Sequence, residues 1–313
     1  NGVSMLHGKV SRNIFQRLYK DFLPEELHIG YVTNGVHYNT WTSKAWHNLY
    51  KKYMGDNQNE WLEDSYKWKS IYIVPDEEIW KIRQKQRSDL VDYLHKRIRR
   101  NWIRRYENPK NMIKVLENLN ENTLTIGFAR RFATYKRAHL LFKNTERLRE
   151  LVNNKERPIQ FIFAGKAHPN DKAGKDLIKH IIDISKQPEF LGKIIFLENY
   201  DINLARKLVQ GVDIWLNTPT RPLEASGTSG MKVVLNGGLH FSVIDGWWVE
   251  GYKKKAGWAL SQNRTYDNQE FQNDLDSETL YSMFENEIIP LFYKRNSEIP
   301  TDWIQFIKKS LAE

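Results

Sequence analysis

Residues 213–244 read DIWLNTPTRPLEASGTSGMKVVLNGGLHFSVI, and this stretch decides the fold class. Its apolar beginning, from Asp213 to Leu216, predicts a short strand, and the run from His240 to Ile244 predicts another. Between them lies a loop of small residues that starts at Glu224, followed by a helical run that contains Lys232. A strand, a loop with a helix and a second strand form the repeating unit of a parallel sheet.

The same alternation extends toward the amino terminus. Each further apolar run is followed by a helical pattern, which gives strands at 123–128, 159–164 and 193–197 and helices at about 134–152, 171–187 and 202–209. This order predicts an α/β fold with a doubly wound, Rossmann-like parallel sheet and flanking helices. A long helix over 76–106, stopped by Asn108-Pro109, is expected before the first strand, and two amphipathic helices are expected within 278–313.

The loop before Lys232 has the features of an anion site. Glycines allow backbone N–H groups to approach an anion closely, and the start of a helix favours negative charge. A lysine just inside that helix, against Val233, Val234 and Leu235, would lose solvation and could become an imine-forming amine. The residues suggest a phosphate-bearing aldehyde cofactor, and the alternative is a Gly/Ser loop with a surface lysine.

Cations cluster after the predicted strands. They are Arg130, Arg131, Lys136, Arg137 and Lys166, and such a set suits a site for more than one phosphate group. The alternative for the run from Arg130 to Arg137 is a basic, solvated loop. Because ligands of parallel sheets gather at the carboxyl ends of the strands, we expect one crevice to hold the residues that directly follow strands: Arg131, Lys166, Tyr200 and Glu224.

Composition excludes several other classes. The chain has 313 residues, a formal net charge of +10 and no cysteine, so neither a disulfide framework nor a thiolate metal site is predicted. We expect a cytoplasmic protein, no membrane partner and no metal, since no apolar run approaches the ~20 residues of a membrane span. Hydrolase, protease and GxGxxG dinucleotide motifs are missing from the sequence.

The densest basic run, His95–Arg105, has two interpretations. Its clustered cations around Trp102 could form a nucleic-acid surface. Alternatively, the run is the solvated face of an amphipathic helix that turns Leu94, Ile98, Trp102 and Ile103 inward. We favour the helix and expect no nucleic-acid partner, because acidic residues flank the run and no nucleic-acid motif accompanies it.

The string EASGTSGMK, followed by a Leu-Asn-Gly turn, resembles the pyridoxal-phosphate segment of the α-glucan phosphorylases that act on glycogen, starch and maltodextrin. It is most similar to the short bacterial and archaeal form. Further motifs occur in the family's order: Asn1-Gly2-Val3 with His7, Thr33-Asn34-Gly35-Val36 with Trp41, Arg130-Arg131 with Tyr135-Lys136-Arg137, Gly165-Lys166-Ala167 and Glu198-Asn199-Tyr200. The resemblance spans at least residues 1–250.

This resemblance implies a PLP-dependent phosphorylase with a two-domain, glycosyltransferase-B type fold, of which this chain would hold the carboxy-terminal domain. The implied reaction cleaves terminal α-1,4 bonds of a glucan with inorganic phosphate and gives glucose 1-phosphate with retention. Pyridoxal 5′-phosphate would form a Schiff base with Lys232, and its phosphate would act beside the substrate phosphate. Two adjacent phosphates repel each other strongly at low dielectric, so nearby cations are needed.

The resemblance also assigns site residues by matching positions. Arg131 and Lys136 would bind the substrate phosphate and are, with Lys232, the expected catalytic residues. The cofactor's phosphate would be held by Arg130, Thr228 and Ser229, with Tyr200 near the cofactor. The terminal glucose hydroxyls would be bound by Glu224, Ser226 and Gly227, and the 6-hydroxyl by Asn34. The long glycogen phosphorylases usually carry Lys at position 130 and Thr-Gly-Asn-Met-Lys around the lysine, which differs from this chain at positions 229 and 230.

The opening residues resemble mid-chain family sequence, so we interpret the chain as a fragment whose partner is the missing amino-terminal domain. We assign 1–75 to the tail of that domain and a hinge, 76–285 to the catalytic carboxy-terminal domain, and 286–313 to terminal helices. The fragment alone is expected to be nearly inactive, and the whole protein to be a homo-oligomer. The alternatives are a nucleotide-sugar glycogen synthase-like transferase, which needs no cofactor lysine, and a non-catalytic glucan-binding relative.

Overall fold

A computed structural model describes residues 1–105, 108–260, 266–296 and 298–313. Six strands in these residues form one all-parallel sheet with the order β3-β2-β1-β4-β5-β6. Their bounds are β1 Leu124–Ala129, β2 Ile159–Ala164, β3 Ile194–Leu197, β4 Ile214–Asn217, β5 Leu239–Val243 and β6 Trp258–Leu260. The predicted α/β parallel fold is therefore confirmed, and the strand order reverses direction between β1 and β4.

Helices cover both faces of this sheet, which is why its strands are continuous apolar runs rather than alternating ones. Every residue of β1 and β2 is buried. The α-helices are α1 Met5–Phe15, α2 Tyr38–Trp41, α3 Lys44–Met54, α4 Gln58–Trp61, α5 Ser65–Trp68, α6 Asp76–Arg105, α7 Pro109–Asn118, α8 Thr145–Asn153, α9 Lys172–Ser185, α10 Ile202–Gly211, α11 Ser229–Val234, α12 Trp248–Gly251, α13 Gln269–Met283, α14 Ile289–Tyr293 and α15 Thr301–Ala312. None of the helices in the described ranges combines the length and apolarity that crossing a membrane requires.

The two faces of the sheet belong to different hydrophobic clusters. One contains alternate strand residues such as Phe161 and Phe241, together with aromatic residues of α3 and α4. The other contains Ile162 and Trp215 on the opposite face, packed against residues of α6, α10 and α11. Trp46 and Trp61 of the amino-terminal segment thus share a core with the sheet, which fixes that segment against the strands.

The structure differs from the predicted helices at three places. The helix predicted over 134–152 is wrong in its first half: two 3-10 turns, Thr134–Lys136 and Ala138–Phe142, precede α8. Arg137 between them has φ 45°, a left-handed conformation that a continuous helix cannot contain. The Asn108-Pro109 stop also starts a helix, because the Asn108 side chain caps α7 and Pro109 occupies its first turn. Carboxy-terminal helices begin already at Gln269, and a π-helical turn, Phe284–Ile288, joins α13 to α14.

The long helix α6 begins at Asp76 as predicted, and the predicted end at Tyr106 lies outside the described residues. Leu94 and Ile98 are buried, as the amphipathic interpretation expects. Ile103 was expected to point inward and is instead 71% exposed, because it lies on the solvent side of the last helical turn. The sixth strand, β6, was not predicted at all.

Candidate functional site

The candidate site lies where the strand order reverses, at the carboxyl ends of β1 and β4. Arg130 directly follows β1, and its Nη1 donates to Oδ1 of Asn217, the last residue of β4, at 2.9 Å. Loops diverge in opposite directions from such a switch point, and the resulting crevice is where ligands of open parallel sheets bind. The hydrogen bond therefore fixes a buried guanidinium at the mouth of this crevice.

The loop after β4 is held by groups at the end of β5. The Glu224 amide donates to Asp245 Oδ2 at 2.9 Å, and the Trp247 amide donates to the Ser226 carbonyl at 2.8 Å. Gly227 has φ +80°, a conformation that favours glycine and turns the loop into α11. The loop is thus a fixed part of the fold with a defined backbone path.

A tight contact explains a second glycine in the loop. A Cβ at Gly230 would lie 2.6 Å from Cε1 of His240, a buried residue of β5. Burial lowers the pKa of His240 to about 3, so its ring is neutral. Glycine at this position therefore lets the first turn of α11 lie directly on the sheet.

Two of the predicted phosphate-binding cations converge on Glu224. Arg130 Nη2 donates to Glu224 Oε2 at 2.5 Å, and Lys136 Nζ donates to the same oxygen at 2.8 Å and to Oε1 at 3.1 Å. The side chains of Arg130, Glu224 and Lys136 are only 8, 12 and 10% exposed. Burial lowers the pKa of Arg130, an effect that the neighbouring Glu224 charge opposes. The cluster concentrates positive charge in a weakly solvated crevice.

The remaining predicted cations do not join this cluster. Arg131 is exposed and forms no hydrogen bond or ion pair with another described residue. Lys166 is also exposed, and its carbonyl accepts from the Phe132 amide at 2.9 Å, which brings the loops after β1 and β2 together. Arg137 is buried and bonded to the Thr218 and Pro219 carbonyls, so it serves the structure of the loop.

Lys232 lies on α11 beside a cavity of about 360 Å³. Its Nζ is 3.8 Å from the ring centre of Trp41, and burial lowers its pKa. Tyr200, Trp215 and Ser229 line the same cavity, and Trp215 Nε1 donates to Ser229 Oγ at 3.0 Å. A half-buried amine whose pKa is lowered by burial is more reactive toward an aldehyde than a fully solvated lysine.

The cavity and the cation cluster are electrostatically linked. Burial raises the pKa of Tyr200 to about 12, and the charge of Arg130 acts on it in the opposite direction. Arg130 therefore contacts Glu224 directly and acts electrostatically on Tyr200, which lines the cavity beside Lys232. The Oγ of Ser226, in the loop between them, is buried and has no hydrogen-bond partner among the described residues. Unpaired buried polar atoms are uncommon, and this one fits a loop that binds a polar group.

The amino-terminal segment borders the loop on another side. Ser4 Oγ donates to the Ala225 carbonyl at 2.7 Å, and the Asn34 amide donates to the Val3 carbonyl at 3.0 Å. Asn34 itself is exposed. Thr228, which precedes α11, is half-buried and makes no capping hydrogen bond with its side chain. The structure thus places the segment with Asn34 against the Glu224 loop through Ser4.

Two site residues were missed by sequence reasoning. Asp245 follows β5 and accepts from the amides of both Glu224 and Gly246, so its position after a strand and before a glycine was the available signal. Asn236 accepts from the Ser43 amide and donates to the carbonyls of Trp41 and Lys232. No local pattern marks that role, because Trp41 and Ser43 are 195 and 193 residues distant from Asn236 in the sequence.

Comparisons with known proteins place this chain among relatives of one family. A sequence model of the carbohydrate phosphorylase family matches residues 1–257. The chain is 43% identical to the glycogen phosphorylase of Aquifex aeolicus over 99% of its own length and 44% of that protein's. It is 43% identical to the maltodextrin phosphorylase of Thermococcus litoralis, and 40% identical to a glycogen phosphorylase of Mycobacterium tuberculosis, each over 99% of this chain and 36% of the relative. The chain spans less than half the length of these relatives.

Proposed function

Because the chain belongs to the carbohydrate phosphorylase family, we propose that it forms the carboxy-terminal part of a PLP-dependent α-glucan phosphorylase. The reaction would be phosphorolysis of terminal α-1,4-glucosidic bonds by inorganic phosphate, with α-glucose 1-phosphate formed with retention. Relatives over the whole chain carry the names glycogen and maltodextrin phosphorylase, which supports this class of glucan substrate.

The observation that carries the proposal is the position of Lys232. Its amine lies at a cavity lined by aromatic rings, and the charge of Arg130 acts on Tyr200 in the wall of that cavity. An aldehyde cofactor with a ring and a phosphate needs an amine, flat apolar walls and anion-binding groups, and these residues fit that need. Lys232 would hold pyridoxal 5′-phosphate covalently, with Tyr200 and Trp41 against its ring.

The phosphate of the cofactor would be held by Arg130, Thr228 and Ser229. When bound, the cofactor would supply a phosphate group that exchanges a proton with the substrate phosphate. Lys136 and Arg131 would bind the substrate phosphate, and their charges with that of Arg130 would offset the repulsion between two adjacent anions. Because Arg131 is exposed and unpaired within the described residues, its side chain is free to turn toward a bound phosphate.

The sugar would be bound on the other side of the cation cluster. Glu224, Ser226 and Gly227 would contact hydroxyls of the terminal glucose, and Asn34 its 6-hydroxyl. Ser226 Oγ is a buried hydroxyl without a hydrogen-bond partner in the described chain, which suits this role. No pair of protein carboxylates is then needed as acid and base, since phosphate takes both parts.

Several parts of this proposal concern the whole protein. The relatives are more than twice as long as this chain, which supports an additional amino-terminal domain as the second wall of the crevice. We expect this chain alone to form no measurable glucose 1-phosphate, and a protein that also contains the aligned amino-terminal part to form it. The glycosyltransferase-B arrangement, the assigned domain boundaries, the homo-oligomer and the cytoplasmic location stay predictions.

The first test is attachment of the cofactor. The chain is incubated with pyridoxal 5′-phosphate and reduced with borohydride, and the labelled peptides are quantified by mass spectrometry. We expect near-stoichiometric label on Lys232, because its amine is half-buried and its pKa is lowered. An exposed lysine such as Lys9 provides the internal control, and Lys232→Arg should remove the specific label. Equal labelling of Lys232 and Lys9 would contradict the proposal.

A further inference from the structure

Both carboxylate oxygens of Glu224 accept hydrogen bonds from cations. Oε2 accepts from Arg130 and Lys136, and Oε1 accepts a longer hydrogen bond from Lys136. All three side chains are nearly buried, so water screens these charges little. Glu224 is thus the anion that both cations share in this structure, and the cluster keeps a net positive charge.

The same carboxylate and the same cations are assigned to different ligands in the proposed function. The cations would bind phosphate groups, and Glu224 would accept a hydroxyl of the sugar. Three of the about four acceptor positions of this carboxylate are filled by the two cations, so about one position, on Oε1, is left for a sugar hydroxyl. The cations in turn direct donors at Glu224, so full contact with phosphate requires that these ion pairs change.

We propose that the Glu224 carboxylate is an internal competitor of phosphate groups, and that occupation of Lys136 and Arg130 by phosphate groups releases it to bind the sugar. This inference rests on the proposed function for the sugar ligand and for phosphate as the ligand of the two cations. Phosphate carries more charge than a carboxylate and has more acceptor oxygens, so it displaces Glu224 from the cations. The released carboxylate then becomes an acceptor at the neighbouring sugar position.

The surroundings allow the Glu224 side chain to move while its partners stay in place. Arg130 is fixed by Asn217, and the Glu224 backbone is fixed by Asp245. A Cβ at Gly227 would lie 3.4 Å from Glu224 Cγ, so glycine at this position keeps the space beside the side chain free. Rotation about the side-chain bonds of Glu224 is therefore sufficient for the exchange.

Competition between Glu224 and phosphate would couple the binding of phosphate to the binding of the sugar. If phosphate releases Glu224, then phosphate increases the affinity for the sugar, and by linkage the sugar increases the affinity for phosphate by the same factor. A site of this kind favours the complex with both substrates over either binary complex. The coupling would act through one side chain and needs no movement of a domain.

The test is the affinity of the chain for inorganic phosphate, measured by isothermal titration calorimetry at low ionic strength. Glu224→Gln removes the competing charge and keeps the size of the side chain. We expect this variant to bind phosphate about tenfold tighter or more than the unmodified chain. An affinity that is unchanged or weaker, or no phosphate binding by the variant, would overturn the inference.

A matched control uses another carboxylate paired with an arginine. Arg147 Nε donates to Glu285 Oε1 at 2.5 Å, in a pair formed by α8 and the π-helical turn. Glu285→Gln should leave phosphate affinity within about twofold, because this pair belongs to no part of the proposed site. A gain equal to that of Glu224→Gln would show a general effect of net charge and overturn the inference.

A second variant protects the test against loss of folding. Glu224→Asp keeps a buried anion but shortens its reach, so it should fold and bind phosphate more tightly than the unmodified chain and less tightly than Glu224→Gln. Thermal unfolding provides a second readout: phosphate should raise the midpoint of Glu224→Gln by more than that of the unmodified chain. Equal shifts would count against competition.

The outcomes separate this inference from the proposed function. Specific labelling of Lys232 together with unchanged phosphate affinity of Glu224→Gln would leave the cofactor site in place and overturn the competition. Absence of labelling together with tighter phosphate binding would support the competition at an anion site that uses no cofactor.

Discussion

Asp245, the residue that holds the Glu224 loop, has a carboxyl group with a raised pKa. It is 3% exposed and accepts hydrogen bonds from the amides of Glu224 and Gly246. Burial raises its pKa from 3.8 to about 6, although the two amides act in the opposite direction. The carboxylate that orients the Glu224 loop therefore gains or loses its proton at about pH 6, just below neutral pH.

The first prediction concerns the pH dependence of stability. The folded state binds the Asp245 proton more tightly than the unfolded chain does, so the contribution of this residue falls as pH rises from about 4 to about 6 and is constant above that range. A difference of about two pKa units corresponds to about 3 kcal/mol. As pH rises from 4 to 7, the free energy of unfolding of the unmodified chain, measured in urea relative to that of Asp245→Asn, should fall by up to that amount.

The comparison with Asp245→Asn is needed because His240 acts in the opposite direction. Burial lowers the pKa of His240 to about 3, so its contribution is present above pH 6.5 and is lost as pH falls toward 3. Both proteins contain His240, and its effect cancels in the difference. A difference that does not change with pH would contradict the raised pKa of Asp245.

At the scale of elements, α11 is held at its carboxyl end by hydrogen bonds of the Asn236 side chain. Asn236 Nδ2 donates to the carbonyls of Lys232 and Trp41 at 2.8 and 2.9 Å, and Oδ1 accepts from the Ser43 amide at 2.8 Å. The residue is fully buried. This set of bonds fixes the backbone of Trp41 relative to α11 and so places its ring over the Lys232 amine.

We therefore predict that Asn236→Asp reduces both stability and the specific reaction of Lys232. The variant keeps one acceptor and replaces an amide donor by an oxygen that faces two carbonyls. Leaving such buried groups unpaired should cost more than about 2 kcal/mol in urea unfolding. The rate of pyridoxal phosphate attachment to Lys232 should fall toward that of an exposed lysine.

The matched control is Asn286→Asp. Asn286 is exposed, and its side-chain amide donates to Ser282 Oγ at 3.2 Å. This change should alter stability by less than about 0.5 kcal/mol and leave the attachment rate unchanged. An unchanged rate of pyridoxal phosphate attachment in Asn236→Asp would show that the hydrogen bonds of Asn236 do not position Lys232.

For the whole molecule, one buried carboxylate connects the long helix to the sheet. Asp213 Oδ1 accepts from Arg83 at 3.2 Å and from Arg87 at 2.9 Å, both on α6, and Oδ2 accepts from the Thr125 amide of β1. Asp213 and both arginines are at most 3% exposed. Arg83 also donates to the carbonyls of Val212 and Asn236, so α6 is joined to the turns before β4 and β5.

We predict that Asp213→Asn destabilises the whole chain. Removal of this charge leaves two buried guanidinium groups without an anion, and breaking a buried pair in this way costs about 3–5 kcal/mol. The change should appear as a lower urea midpoint in circular dichroism, with the helical and near-ultraviolet signals lost together.

An exposed pair on the same helix provides the control. Lys85 and Asp89 form an i,i+4 ion pair at 2.6 Å with side chains 70 and 49% exposed. Asp89→Asn should change stability by no more than about 0.5 kcal/mol, because water screens this pair. A similar effect of both substitutions would contradict the view that burial gives Asp213 its importance.

Much of the sheet was determined by local sequence. The strand at 159–164 matches β2 at both ends, since its apolar run is bounded by a proline and a glycine. The start of α6 at Asp76 was also predicted, because acidic residues favour a first helical turn. By contrast, β6 is only three residues long, and its pairing with β5 rather than its own pattern makes it a strand.

The sequence by itself determined the α/β class, the loop of small residues before Lys232 and the presence of cations after the strands. These properties depend on neighbouring residues, so periodicity and glycine positions reveal them. Only the tertiary structure decided that Glu224 binds Arg130 and Lys136, from which it is 94 and 88 residues distant, while Arg131 stays in solvent. The physical reason is that charge pairing and burial depend on distance in space, which sheet order sets and no local pattern encodes.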